Sequence, residues 1–294
     1  MASPSSPGVQ TYFERARRGL TAWWRYPAAG VLAVALWVAL IAVLSFGAAR
    51  MGWLSRDLAA QLMSPTHPVT FFLGAGATFG TLLLTFAVAV RLLQKKRFGD
   101  VAGAWRWRLF ALGAGAWAAV ALASSLVDYL VAPHAFSVTA SPATGPLALA
   151  AVVGLGVQTL AEEWLFRGWI TQGLLLATRR PLASAIISGL LFAALHIPNG
   201  WPQTANALVF GVVTALIAIR TGGIAFTLGA HLVNNLFGAV VVVSAGDVFK
   251  GAAGLLTERA VGGLQWVDVA LAAAGLAAVM LLAWRVSAPP RPTP

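Results

Sequence analysis

The sequence predicts an all-α, polytopic integral membrane protein with about eight transmembrane helices. Three observations carry this. Of 294 residues, 59% are hydrophobic and only 10% charged, against roughly 25% charged in a soluble domain. Mean hydropathy is +0.80, more apolar surface than an interior of this size can hide. The apolar stretches run for about 20 residues rather than alternating over about 10, which argues against a transmembrane barrel. A soluble globular enzyme, a disordered chain and a fibre are excluded together.

The elements follow in order. Residues 1–26 divide into a Ser/Pro-rich tail (1–8), expected to be disordered, and an interfacial amphipathic helix over Val9–Arg25. In that helix Val9, Tyr12, Phe13, Ala16, Leu20, Trp23 and Trp24 recur at helical spacing, with Arg15, Arg17 and Arg18 between them. It is not a secretory signal, because the next apolar stretch is too long and no small-residue cleavage site follows. Eight spans are expected at about 27–49, 69–93, 107–131, 147–177, 182–198, 204–220, 224–245 and 267–285. Residues 27–140 form the N-terminal helices, 141–245 the core that holds the unusual polar residues, and 246–294 a loop, a last helix and a Pro-rich tail. The fourth span is too long for one straight crossing, so it tilts or breaks near Gly168. Tryptophans such as Trp23, Trp53, Trp107 and Trp201 fall near span ends, as an interfacial belt does.

Charge sets the expected orientation. The net charge is +11, and there are no cysteines. Disulfides, thiolate zinc sites and a cysteine nucleophile are therefore excluded. The basic residues flank apolar spans, which points to membrane topology rather than nucleic acid. With both termini in the cytoplasm, fifteen Lys and Arg lie inside and four outside, with Arg167 within a span. The expected location is a cell membrane, multi-pass, with both ends cytoplasmic.

An ionisable residue inside a span costs roughly 2.5–3.5 kcal/mol on insertion scales, so it is a functional candidate by default. Glu162, Glu163 and Arg167 fall in the fourth span, His196 ends the fifth, and His231, Asn234 and Asn235 lie in the seventh. Glu163 and Arg167 are i and i+4 and can pair. Glu162 points about 100° away from Glu163, which leaves it without a local partner. His231 and Asn235 share a face, and Asn234 lies close to it. If the chain reverses at Arg179–Arg180, Glu162 is 17 residues before Arg179 and His196 is 17 after it. Two antiparallel helices then bring this carboxylate and this imidazole to one level. His231 is only 8 residues past Gly223, which leaves it about 14 Å nearer that end at 1.5 Å per residue. Either the fourth span breaks near Gly168, or the Thr221–Gly223 turn is sunk into the protein. Asp128, near a span end beside Tyr129, is expected at the interface.

Three motifs occur in order. They are Glu162-Glu163-Trp-Leu-Phe-Arg167, Phe192-Ala-Ala-Leu-His196 and His231-Leu-Val-Asn-Asn235. Together they resemble the CPBP intramembrane proteases, which include the CAAX prenyl endopeptidases and the bacterial Abi proteins. The resemblance covers about residues 145–240. It implies an intramembrane endopeptidase in which Glu162 is the general base and His196 holds and orients a water. His231 and Asn235 would stabilise the oxyanion, and Glu163 with Arg167 would shape the site. A carboxylate in an apolar pocket is suited to such a base, since desolvation raises its pKa. Zinc remains possible, with Glu162, His196 and His231 as three ligands and an open position for water. There is no HExxH, and the metal-free form is favoured.

The Ala-, Arg- and Trp-rich chain has a bacterial character. A tight, dry bundle favours short or C-terminal substrates that thread in from one side. Bacteria generally lack prenylated proteins, so processing of a peptide, pheromone or bacteriocin, or membrane-protein turnover, is expected rather than the CAAX reaction. The expected partners are such a substrate and the lipid bilayer, not nucleic acid. Two other readings stand beside this one. A non-catalytic membrane scaffold or bacteriocin-immunity protein would use the same fold. A transporter would use the same charges as a relay, but no internal repeat supports it.

Overall fold

A computed structural model describes residues 7–244, 248–249, 254–259 and 264–286. Most of the tail expected to be disordered (residues 1–6) and the Pro-rich tail 287–294 lie outside the described residues. Eleven helices are described. They are α1 (Pro7–Ala16), α2 (Arg25–Arg50), α3 (Arg56–Leu62), α4 (Pro68–Gln94), α5 (Phe98–Ala102) and α6 (Trp107–Val131). There follow α7 (Thr144–Thr178), α8 (Pro181–Ala194), α9 (Trp201–Thr221), α10 (Ala225–Val241) and α11 (Leu264–Val286). The all-α polytopic membrane fold is what the sequence predicts.

The count of eight crossings is not met by length. Six helices, α2, α4, α6, α7, α9 and α11, are long and apolar enough to cross a membrane. Helices α8 and α10 are apolar but shorter. At 1.5 Å per residue the 14 residues of α8 reach about 20 Å, short of a hydrocarbon layer of about 30 Å. Their outer faces agree with a lipid surround. Val31, Val43, Phe46, Leu122 and Leu149 are exposed along the long helices, and Trp23, Trp53, Trp107 and Trp201 are exposed near helix ends.

Helix α7 does not break at Gly168. It continues, wound as a π-helix from Trp164 to Ile170, a form that recurs at functional sites. The carbonyls freed there find partners. Thr171 Oγ1 donates to Phe166 O at 2.6 Å and Ser188 Oγ donates to the same oxygen at 3.2 Å. The Tyr12 hydroxyl donates to Arg167 O. The second alternative for the depth of His231 holds instead. Residues 221–231 are all buried, and Ile224 N donates to Ala102 O at 2.9 Å. The α9–α10 turn is therefore sunk under α5. Helix α10 also lies very close to α6: a Cβ on Gly113 would fall 2.0 Å from Phe226 O, and one on Gly229 would fall 2.1 Å from Phe110 O. Only glycine permits that approach.

The N-terminal helix is shorter than expected and is docked rather than laid on the surface. It ends at Ala16, which is buried, and Tyr12 is buried against Leu175, Ala218 and Ile219. Small strands were not foreseen. β1 (Phe136–Val138) pairs antiparallel with β3 (Leu256–Glu258), which pairs parallel with β2 (Val242–Ser244). They tie the α6–α7 connection to the segment after α10.

Candidate active site

The site grows from α7 and α10, which pack together. Glu163 and Arg167 are fully buried, and Arg167 Nε lies 3.4 Å from Glu163 Oε1, the i, i+4 pair read from the sequence. Arg167 Nε also donates to Thr214 Oγ1 at 2.8 Å. Its two terminal nitrogens have no hydrogen-bond partner among the described residues. The guanidinium lies over the Phe192 ring at 4.1 Å and near the Phe210 ring at 5.4 Å. Aromatic faces thus stand where acceptors would otherwise be needed.

Glu163 has a second partner that spacing along one helix could not reveal. His231 Nδ1 is 2.8 Å from Glu163 Oε1, across from α10. The other ring nitrogen, Nε2, faces Glu162 Oε2 at 3.5 Å. One imidazole therefore bridges the two adjacent carboxylates. Glu162 is not without a local partner: Gln158, one turn earlier, donates to its Oε1 at 3.0 Å. Glu162 is also the more accessible of the pair, at 12% against 0% for Glu163.

Asn235 is buried and donates through Nδ2 to Thr159 Oγ1 at 3.2 Å. Asn234 donates to Asn235 Oδ1 at 3.1 Å and accepts from Trp117 Nε1 at 3.1 Å. The asparagine pair is thus braced from α6 and α7. His196 lies just past the end of α8, partly buried, with Nδ1 2.9 Å from Phe192 O and its ring 4.6 Å from the Phe192 ring. The reversal between α7 and α8 occurs at Arg179, which takes a left-handed φ of 55°.

Glu162, His196, His231 and Asn235 line one cavity of about 500 Å³. It is not tight and dry. Gln158, Asn199, Gln203, Asn206 and Ser125 add polar groups to its wall. Asp128 is buried, not interfacial, and also lines this cavity. Gln158, Thr159, Trp117 and Thr214 were missed from the sequence. The signal for the first two was available, since each lies four residues before one of the two glutamates. Trp117 and Thr214 carried none. Among the described residues no three His, Asp or Glu side chains converge to hold a metal ion. Glu162 Oε2 and His231 Nε2 lie 3.5 Å apart, and His196 Nδ1 meets the Phe192 carbonyl. Glu162, His196 and His231 form no converged ligand set for zinc in this arrangement.

Residues 143–237 match the Rce1-like family, described as type II CAAX prenyl endopeptidase Rce1-like. All three motifs lie inside the Rce1-like segment, and the resemblance to the CPBP proteases is borne out. The uncharacterized protein YyaK of Bacillus subtilis (strain 168) is 32% identical over 183 residues, covering 58% of this chain. The chain spans about three fifths of that relative's length, 60%. No solved structure matches it.

Proposed function

We propose that the chain is an intramembrane endopeptidase that hydrolyses a peptide bond with a water activated by Glu162. The observation that carries this is the bridging of Glu162 and Glu163 by His231 at the wall of a polar cavity. Glu163 sits between Arg167 and His231 and fixes the imidazole. Glu162 is left with an accessible edge toward the space where a substrate would lie.

In this mechanism Glu162 takes a proton from water as its oxygen attacks the scissile carbonyl carbon. His196 orients that water. The carbonyl oxygen becomes an oxyanion, met by His231 Nε2 and by the second Nδ2 proton of Asn235, whose first goes to Thr159. As the tetrahedral intermediate collapses, the proton held by Glu162 passes to the leaving amine. Lipid surrounds the helices, and the substrate is a peptide or a segment of a membrane-associated protein.

The test is cleavage of a diverse peptide pool by detergent-purified protein, with new termini read by mass spectrometry and Glu162→Ala as control. Products made by the wild type and absent from the variant support the reading. Identical product patterns from both proteins would sink it. Absence of products from both would favour the scaffold or immunity alternative.

A further inference from the structure

The bundle gathers most of its basic residues at one end, with Arg50 and Arg56 at the other. Arg91, Lys95, Lys96 and Arg97 close α4, while Arg106 and Arg108 open α6. Arg179 and Arg180 separate α7 from α8, and Arg220 and Arg285 fall in the last turns of α9 and α11. Contacts tie this end together. Arg18 pairs with Asp100 at 2.9 Å, Lys96 Nζ donates to Gln172 Oε1 at 2.9 Å, and Arg106 Nη1 reaches Thr221 O at 3.4 Å. These contacts gather the basic ends of α4, α6 and α9 at one end of the bundle, where α1 is docked.

The cavity draws on the other half of nearly every helix it touches. Helix α4 contributes residues 71–79 from its start, α6 contributes 117–128 from its far half, and α9 contributes 203–210 from its start. Helix α10 contributes 231–238, α11 contributes Asp268 and Ala272, and the end of α3 contributes Leu62 and Met63. His196 and Asn199 lie past the end of α8 that is remote from Arg180. Glu162 lies in the middle of α7, about 25 Å from Arg179 at 1.5 Å per residue. None of the described lining residues is Lys or Arg, although the chain holds 20 of them. Asp128, Glu162 and Asp268 do line it.

Basic ends of membrane helices stay on the cytoplasmic side. We propose that the cavity opens to the extracytoplasmic side, so that its substrates are exported or surface-displayed polypeptides. What enters rests on the protease reading; the orientation does not.

The chain has no cysteine, so single-cysteine variants give an unambiguous label. Met63→Cys and Asn199→Cys place a thiol at exposed positions beside the cavity, and Arg180→Cys places one at the basic end. Intact cells are treated with a membrane-impermeant maleimide, and the treatment is repeated after permeabilisation. The expected result is labelling of the first two in intact cells and of Arg180→Cys only after permeabilisation. The reverse pattern overturns the proposal, as does equal labelling of all three or failure of the first two to label at all. A chain that labels as expected but cleaves nothing loses the protease reading and keeps its orientation. One that cleaves but labels from the inside loses the orientation alone.

Discussion

Glu162 and Glu163 are neighbours in sequence, yet their surroundings divide the work between them. Glu163 has no exposure and holds both Arg167 and His231, whereas Glu162 faces the cavity with Gln158 behind it. The 100° step between successive helical residues was enough to foresee that only Glu163 could pair with Arg167. It could not foresee His231 between them, because that contact joins α7 to α10 across 68 residues of chain. The same holds for the brace from Trp117 through Asn234 to Asn235. If Asn235 donates to the oxyanion, Asn235→Ala should lower kcat by about 10²–10³. KM should change little, since the interaction belongs to the transition state. Steady-state kinetics on a peptide selected from the pool would check this. An unchanged kcat would remove Asn235 from the mechanism.

At the scale of elements, the long apolar helices were legible because about 20 residues without charge have few other uses. The start and end of α6 fall where hydropathy places them. The short helices were harder. Hydropathy cannot distinguish a helix that crosses from one that stops inside the bundle, and α8 stops near His196. The sunken start of α10 was legible only as a mismatch in depth between His231 and Glu162. Strands β1 to β3 were not legible at all: each has three residues, too few for an alternating pattern to show. Glu258 on β3 offers a test of their place. Burial first, and then the charge of Asp128, raise its pKa from 4.5 to about 7. A carboxyl that keeps its proton longer when folded contributes stability that is fully present below pH 4.5 and lost as pH rises through about 7. Thermal unfolding in detergent should therefore show wild-type stability falling across that window. Glu258→Gln should flatten the fall. An identical slope in both proteins would contradict the buried placement of Glu258.

At the scale of the whole molecule, the chain separates a basic end from a polar cavity, and the candidate catalytic groups line that cavity. The basic end is closed by α1 and α5. Lys96, buried there against Ala16 O and Gln172 Oε1, has its pKa lowered to about 8 by desolvation. The cavity end is walled by the short helices and by α6, which contributes Trp117 and Asp128. This is why the motif segment 143–237 does not make the site alone, and why the first 140 residues, which carry no motif, still matter to it. The central claim is that Glu162 activates water at this site without a metal. It is tested most directly by the kcat of wild type and Glu162→Gln on one peptide after dialysis against a chelator. The account predicts that the wild type keeps its rate while the variant falls by at least about 10²–10⁴-fold, the usual contribution of a positioned base. A variant as fast as wild type, or a wild-type rate lost to the chelator and restored by zinc, would contradict it.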